Sequence, residues 1–479
     1  MKKYCAEGSK FNQVLVALLM VLPVFSYGTA IGWISPMGQK LMSEDSPAAE
    51  PVHEDTISWM ASVAYLVGTP TVFLFGYVVD NFGRKKALML TSFAMALCWS
   101  LKLYSTETWA LITARAIVGV GVSGSYVVTP LYIKEISEDS IRGTLGSLVV
   151  LSQNLGNLMA YILGEYLSYH AMLWVCLTVP ILHLILFTTM PETPSYLLKC
   201  GKVEEARDAL AWLRCRDSSE PSVDSELQIL LLELEQSKSG QFANAIRTLI
   251  TDQNTCRAFR ITLIIIIARE LCGCLAVLHF ASLIFSKASA GGWVLTANQQ
   301  AAVLGMVQIV GSFTASGLVE RTGRKPLLGM TCLVSGIAMT ALGSWFYAHS
   351  DGSTGSSWIP IVALCLCIYC DAAGLQPVPF VIMSEMFTFQ VRGTVTAIVI
   401  ATACALVSIQ LRVFQPIAAS VGLYLIFWLF AAVCLVSTVY IALVVPETKM
   451  KTLDEIYAEI GGKNTKSKEI DCEADVTKL

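Results

Sequence analysis

"DNFGRK" (80–85) recurs as "ERTGRK" (320–325), the two sharing an acid, two residues and then Gly-Arg-Lys. "EISEDSIRG" (135–143) recurs as "EMFTFQVRG" (385–393), sharing a glutamate, six residues and then Arg-Gly. "PET" stands at 191–193 and again at 446–448. The offsets are 240, 250 and 255 residues, and the order is kept. One short match is chance; three in register are a duplication. The chain is therefore read as two copies of one unit.

Composition says what kind of unit. The 479 residues are 54% hydrophobic and only 14% charged, where a soluble domain carries about 25% charge. Mean hydropathy is +0.61, so lipid is the expected solvent. The net charge of −3 gives nucleic acid no electrostatic hold. The fifteen cysteines are mostly scattered through apolar runs, without the paired CxxC motifs of a zinc site, and are expected to pack as small apolar residues. No N-x-[S/T] sequon is present. The first apolar run is long enough to span and lacks a clear cleavage site, so it is not read as a signal peptide.

About 20 apolar residues cross a bilayer as a helix. Such runs fall at 11–34, 58–79, 87–106, 109–132, 144–167 and 171–190, then at 258–286, 298–319, 326–348, 358–384, 392–418 and 421–445. Helices follow because each backbone N–H must be satisfied within its own span. The predicted fold is an all-α membrane protein of twelve transmembrane helices in two six-helix bundles, 1–190 and 258–446. Between them, 191–257 carries helical apolar spacing and is read as short cytoplasmic amphipathic helices; 447–479 is read as a cytoplasmic tail, its last stretch polar and disordered. Lys2, Lys3 and Lys10, then Arg84, Lys85 and Lys86, then Arg321, Arg324 and Lys325 place both termini in the cytoplasm. The loop "SEDSPAAEPVHEDT" (43–56) is acidic and falls outside.

Each repeated motif lies at a cytoplasmic helix end. An acid on one helix can pair with an arginine on a neighbour, and such pairs can form in one conformation and break in another. Two halves joined by breakable pairs describe an alternating-access transporter with its site near the midplane. The plainer reading is a set of static surface pairs worth about 0–1 kcal/mol each.

The pattern resembles the sugar porters of the major facilitator superfamily over nearly the whole chain. The carrying residues are Asp80-x-x-Gly83-Arg84-Lys85, "RAIVGVGVSG" from Arg115, "PLYIKEIS" from Pro130, Arg142-Gly143, "PETPSYLL" from Pro191, "ERTGRK" from Glu320, "SEMF" with Arg392, and "PETKMKTLDEI" from Pro446. "GWISP" (32–36) and "ISWMAS" (57–62) look most like the insect facilitated trehalose transporter group. The resemblance implies a plasma-membrane carrier of trehalose or a hexose. It also implies a gating network at the inner face, made of Asp80, Arg84, Glu135, Arg142, Glu192, Glu320, Arg324, Glu385, Arg392 and Glu447, that stabilises the outward-open state.

The substrate positions depart from the family. A sugar presents hydroxyls and no charge, and amides suit it because each both donates and accepts. The family's span 5 glutamine falls on Val150, its span 10 tryptophan on Phe380 and its span 11 asparagine on Ala403, while the span 8 asparagine falls on Gln308, still an amide. In span 7 the family's Gln-Gln-Leu-Ser-Gly-Ile-Asn becomes Arg269-Glu270-Leu271-Cys272-Gly273-Cys274-Leu275. Two charges thus stand inside "IIIIARELCGCLAVLHF" (264–280), where each costs roughly 2.5–3.5 kcal/mol if it meets lipid. Helix neighbours point about 100° apart, so the pair is not expected to face each other, and Asp371 in span 10 is the expected partner of Arg269. Three readings stand: a structural Arg269–Asp371 ion pair, direct recognition of a solute by Arg269 and Glu270, or proton coupling through Glu270. His279, Gln308, Gln376 and Phe380 are further substrate candidates. Gln153 and Asn157 are expected to bond between helices.

These features predict a secondary transporter of a small-molecule solute, a sugar first, with rivals in a charged or non-sugar solute and in a non-transporting sensor. No cofactor, metal or nucleotide is expected: there is no GxxxxGK[ST] loop and no metal-ligand or nucleophile–base set visible from spacing, so the chain is not read as an enzyme.

Overall fold

The computed structural model describes residues 8–237, 242–288, 295–349 and 358–461. The polar end of the tail, expected to be disordered, lies outside the described residues.

Among the described residues the regular structure is helical, and twelve helical spans run in chain order. Spans 1 to 6 are Phe11–Met42, Glu54–Phe82, Arg84–Tyr104, Thr108–Ile136, Asp139–Tyr166 and Tyr169–Phe187. Spans 7 to 12 are Gln253–His279, Ala297–Thr322, Arg324–Ala348, Trp358–Met386, Phe389–Ser420 and Leu423–Val444. Span 7 is followed by a further helix, Ala281–Ala288. Among the described residues, ten helices are long and apolar enough to cross a membrane by length and composition. Span 5 carries three amides, Gln153, Asn154 and Asn157, that bond to neighbouring helices.

The repeat is visible in the backbone. Spans 4 and 10 each contain one π-helical turn, Gly124–Val128 and Asp371–Leu375, at equivalent places. Such bulges arise where one extra residue is fitted into a helix, often at functional sites. Spans 3 and 9 each begin directly after a glycine with positive φ, Gly83 at 98° and Gly323 at 93°.

Span 2 packs on span 11, and span 5 on span 8; these pairs join the two sets of six. The segment after span 6 forms short helices, Pro194–Lys199, Val203–Leu213, Pro221–Ser237 and Phe242–Thr251. The first three bury a small apolar cluster of their own, with Leu197, Leu210 and Leu227 at its centre. Arg214 bonds the Ile136 carbonyl, and Asn12 bonds the Trp212 carbonyl, so these helices sit on the same face as the N-terminus. Arg257 bonds the Gly461 carbonyl, so the C-terminal helix Leu453–Gly461 shares that face.

Candidate functional site

Between the two sets of six lies a cavity with about 400 Å³ of empty space, part of it continuous with solvent. Spans 1, 2 and 4 line it with Tyr27, Tyr65 and Tyr126; spans 7, 10 and 11 line it with Arg269, Glu270, Phe380 and Ala403.

Arg269 and Glu270 pair with each other, Nη1 to Oε1, on the cavity wall. This corrects the expected Arg269–Asp371 pair: among the described residues the guanidinium's ion-pair partner is its own neighbour. The physical reason is reach. Helix geometry sets the directions of Cβ atoms, but the guanidinium lies several rotatable bonds further out and can fold back. It does so just before the helix ends at Leu271. The Arg269 side chain is 8% exposed and that of Glu270 2% exposed, so each charge is almost dry and leaving either unpaired would be costly. Arg269 also lies 5.9 Å from the centre of the Phe380 ring.

The remaining polar candidates are placed otherwise. Gln308 accepts from Asn157 Nδ2 at 3.2 Å, and Gln376 Oε1 lies 3.5 Å from Asn154 Nδ2. Asn154 also donates to Ser312 Oγ at 2.7 Å. These amides therefore cross the boundary rather than line the cavity. Gln153 accepts from the Tyr126 hydroxyl at 2.9 Å. His279 is fully buried, its Nδ1 2.8 Å from the Leu275 carbonyl oxygen and its ring 5.7 Å from that of Tyr65. Sequence reasoning passed over Tyr27, Tyr65, Tyr126 and Asn154. The signal available was chemical: a tyrosine in a spanning helix has a hydroxyl that needs a partner or a cavity.

On the face away from the termini the halves are bonded together. Asp55 pairs with Arg412 at 2.7 Å, and Ser58 donates to Gln415 at 2.7 Å. Ser35 and Ser282 share a hydrogen bond of 2.9 Å, Gln39 donates to the Ser282 carbonyl at 2.7 Å, and Tyr161 donates to the Leu278 carbonyl at 2.6 Å.

On the terminal face each charge cluster closes within its own half. Arg84 binds Glu135 at 2.8 Å, while Glu192 accepts from the Arg84 and Lys85 backbone amides, each at 3.1 Å. Arg324 binds Glu385 at 2.7 Å, while Glu447 accepts from the Arg324 and Lys325 amides at 3.0 and 3.2 Å. A carboxylate thus caps the N-terminus of span 3 and another that of span 9, where amide donors are otherwise unsatisfied. Arg142 donates to the Ser137 carbonyl and Arg392 to the Phe387 carbonyl, one arrangement used twice. Asp80 pairs with Lys199 of the intervening helices at 2.9 Å, and Glu320 is exposed.

Spacing predicts no metal-ligand cluster. The fold nonetheless brings the sulfurs of Cys272 and Cys274 and a carboxylate oxygen of Asp371 within 4.8 Å of one another, behind the cavity wall.

Twelve spans in two repeated sets, a cavity between them and, among the described residues, bonds joining the halves on the face away from the termini define a secondary carrier with the major facilitator fold. The chain belongs to the sugar (and other) transporter family, whose model matches residues 14–459. It is 28% identical over 455 residues to the facilitated trehalose transporter Tret1 of Culex quinquefasciatus, covering 95% of this chain and 86% of that protein. It is 27% identical over 455 residues to Tret1 of Aedes aegypti, covering 95% of this chain and 56% of that longer protein. The inward-open conformation of the xylose transporter XylE from E. coli has the same fold, with TM-score 0.75 and 20% identity over 93% of this chain and 99% of that one.

Proposed function

We propose that this carrier moves a small neutral sugar, trehalose or a hexose, across the plasma membrane by alternating access. The observation that carries the reading is the cavity wall. Arg269 and Glu270 cancel each other's charge, and Tyr27, Tyr65, Tyr126 and Phe380 supply aromatic faces and hydroxyls. A sugar fits such a wall: its C–H faces lie against rings, and its hydroxyls exchange hydrogen bonds with phenols and with the outer atoms of the pair. The trehalose transporters among the relatives support a sugar as the solute.

The rival charged solute would need a net charge on the wall to balance it, and the internal pairing argues against one. Proton coupling would run through Glu270, the acid on the wall; its engagement by Arg269 favours facilitated transport.

The lysine and arginine distribution supports cytoplasmic termini. With that orientation, the bonds on the opposite face and the self-contained clusters on the terminal face describe a state open to the cytoplasm. Residues 1–190 and 258–446 are then the two rocking bundles, 191–257 the cytoplasmic linker and 447–479 the tail.

The test is uptake of labelled trehalose and labelled glucose in expressing oocytes, with and without an inward proton gradient. Saturable uptake that ignores the gradient is expected. Surface-expressed protein that moves neither sugar overturns the reading.

A further inference from the structure

Cys272-Gly273-Cys274 is the break in span 7. Cys272 follows the helix Gln253–Leu271, and Cys274 opens the next, Cys274–His279. Gly273 has φ +90°, and a Cβ there would meet Phe430 Cδ2 at 2.1 Å. Glycine is required on both counts, and the turn it makes sets the two sulfurs 3.4 Å apart. Cys274 Sγ also lies 3.5 Å from Cys367 Sγ of span 10. One helical turn beyond Cys367, Asp371 starts the π-helical turn and brings its carboxylate to the same point.

All four side chains are buried: Cys272 1%, Cys274 2%, Cys367 1% and Asp371 4% exposed. A buried carboxylate normally has a cationic partner or a metal. Asp371 lacks an ion pair among the described residues, because Arg269 is taken by Glu270. Its neighbours are thiols, which are weak donors. Soft sulfurs beside a buried carboxylate are the donor set of a thiophilic cation.

We propose that Cys272, Cys274 and Asp371 bind Zn²⁺, with Cys367 in reach as the fourth ligand. Tetrahedral coordination with Zn–S of about 2.3 Å sets sulfurs roughly 3.8 Å apart, a small adjustment from the observed spacing. The carboxylate selects Zn²⁺ over Cu⁺, which favours sulfur alone. On binding, the Cys272 and Cys274 thiols each release a proton to solvent, and their sulfurs bond the ion. Zn²⁺ with two thiolates and one carboxylate carries one net negative charge. If Cys367 joins, a third proton leaves. The ion ties the break in span 7 to span 10. It thereby holds the turn that presents Arg269 and Glu270 to the cavity, and links solute transport to a metal.

The test titrates reduced, purified full-length protein in lipid nanodiscs with Zn²⁺, reading stoichiometry by chelator competition and proton release by an indicator. One equivalent bound, with two or three protons released, is expected. Cys274→Ser and Asp371→Asn should each weaken binding at least tenfold, while Cys200→Ser, at an exposed thiol of the linker, leaves it unchanged. An equivalent that survives Cys274→Ser overturns the proposal. If the variants do not fold, ¹¹³Cd NMR of the wild type decides, since its shift counts sulfur ligands. A two- or three-sulfur signal supports the site, and no such signal overturns it.

Discussion

Asn157 of span 5 donates its side-chain amide to Gln308 of span 8, Nδ2 to Oε1 at 3.2 Å, across the boundary between the halves. Both residues are buried, at 3% exposed each, and the proposed alternating access would separate them in the opposite conformation. A net hydrogen bond contributes about 1 kcal/mol, and that is a factor of roughly 5 in a two-state ratio.

Asn157→Ala should therefore shift the carrier about fivefold toward the state closed on the terminal face. Spin-label distances between the terminal-face ends of the two sets of six helices read the shift. Gln308→Ala should act alike, and the double variant should add little to either. Additive effects would mean that the two amides act separately.

Truncating one partner of the buried pair leaves the other uncompensated. Glu270→Ala and Arg269→Ala should each destabilise by about 3–5 kcal/mol and abolish uptake. Arg269→Gln with Glu270→Gln removes both charges and puts amides where related carriers have them. That double variant should fold and transport, and loss of transport with correct folding would show that the charges themselves engage the solute.

Gly83 and Gly323 occupy backbone conformations that other residues reach only at a cost of about 1–3 kcal/mol. A Cβ at Gly83 would meet Glu192 Oε2 at 2.3 Å, and one at Gly323 would meet Glu447 Oε2 at 2.7 Å. Alanine at either site should push the capping glutamate off its helix. The closer approach makes Gly83→Ala the worse substitution, as thermal unfolding in detergent should show.

Asp252 caps span 7, accepting from the Thr255 amide at 2.9 Å and from the Thr255 hydroxyl. The hydroxyl bond, then the amide bond, holds its carboxyl below the usual aspartate value. A depressed folded pKa means stability present above the unfolded value, about 3.9, and lost as pH falls through the lower folded value. Asp252→Ala should cost about 1 kcal/mol at neutral pH. Asp252→Asn keeps an acceptor but has no proton to gain, so the acid loss of stability assigned to this cap should vanish in a pH series of unfolding midpoints.

Much of the fold was legible because its causes are local. A run of apolar residues reads as a span wherever it sits, and the twelve runs read from hydropathy match the twelve helical spans. Errors fell at the ends: span 1 continues to Met42 rather than stopping near residue 34. Its outer turns hold Ser35 and Gln39, polar residues stabilised by bonds to the other half that no window average can see. The tyrosines of the cavity were invisible for the opposite reason. In an apolar run Tyr27, Tyr65 and Tyr126 look like any packing aromatic until the opposing helices show which side chains line a gap.

By itself the sequence determined the duplication, the membrane, the spans and the family, since periodicity, hydropathy and motif order are properties of the chain. Only the tertiary structure decided the partners. Arg269 chose its neighbour over Asp371, the amides of spans 5, 8 and 10 joined the halves, and each terminal-face cluster closed within its own bundle. The reason is physical: in a dry interior a polar group is satisfied by whichever complementary atom packing brings within about 3 Å, and that distance is set by the fold.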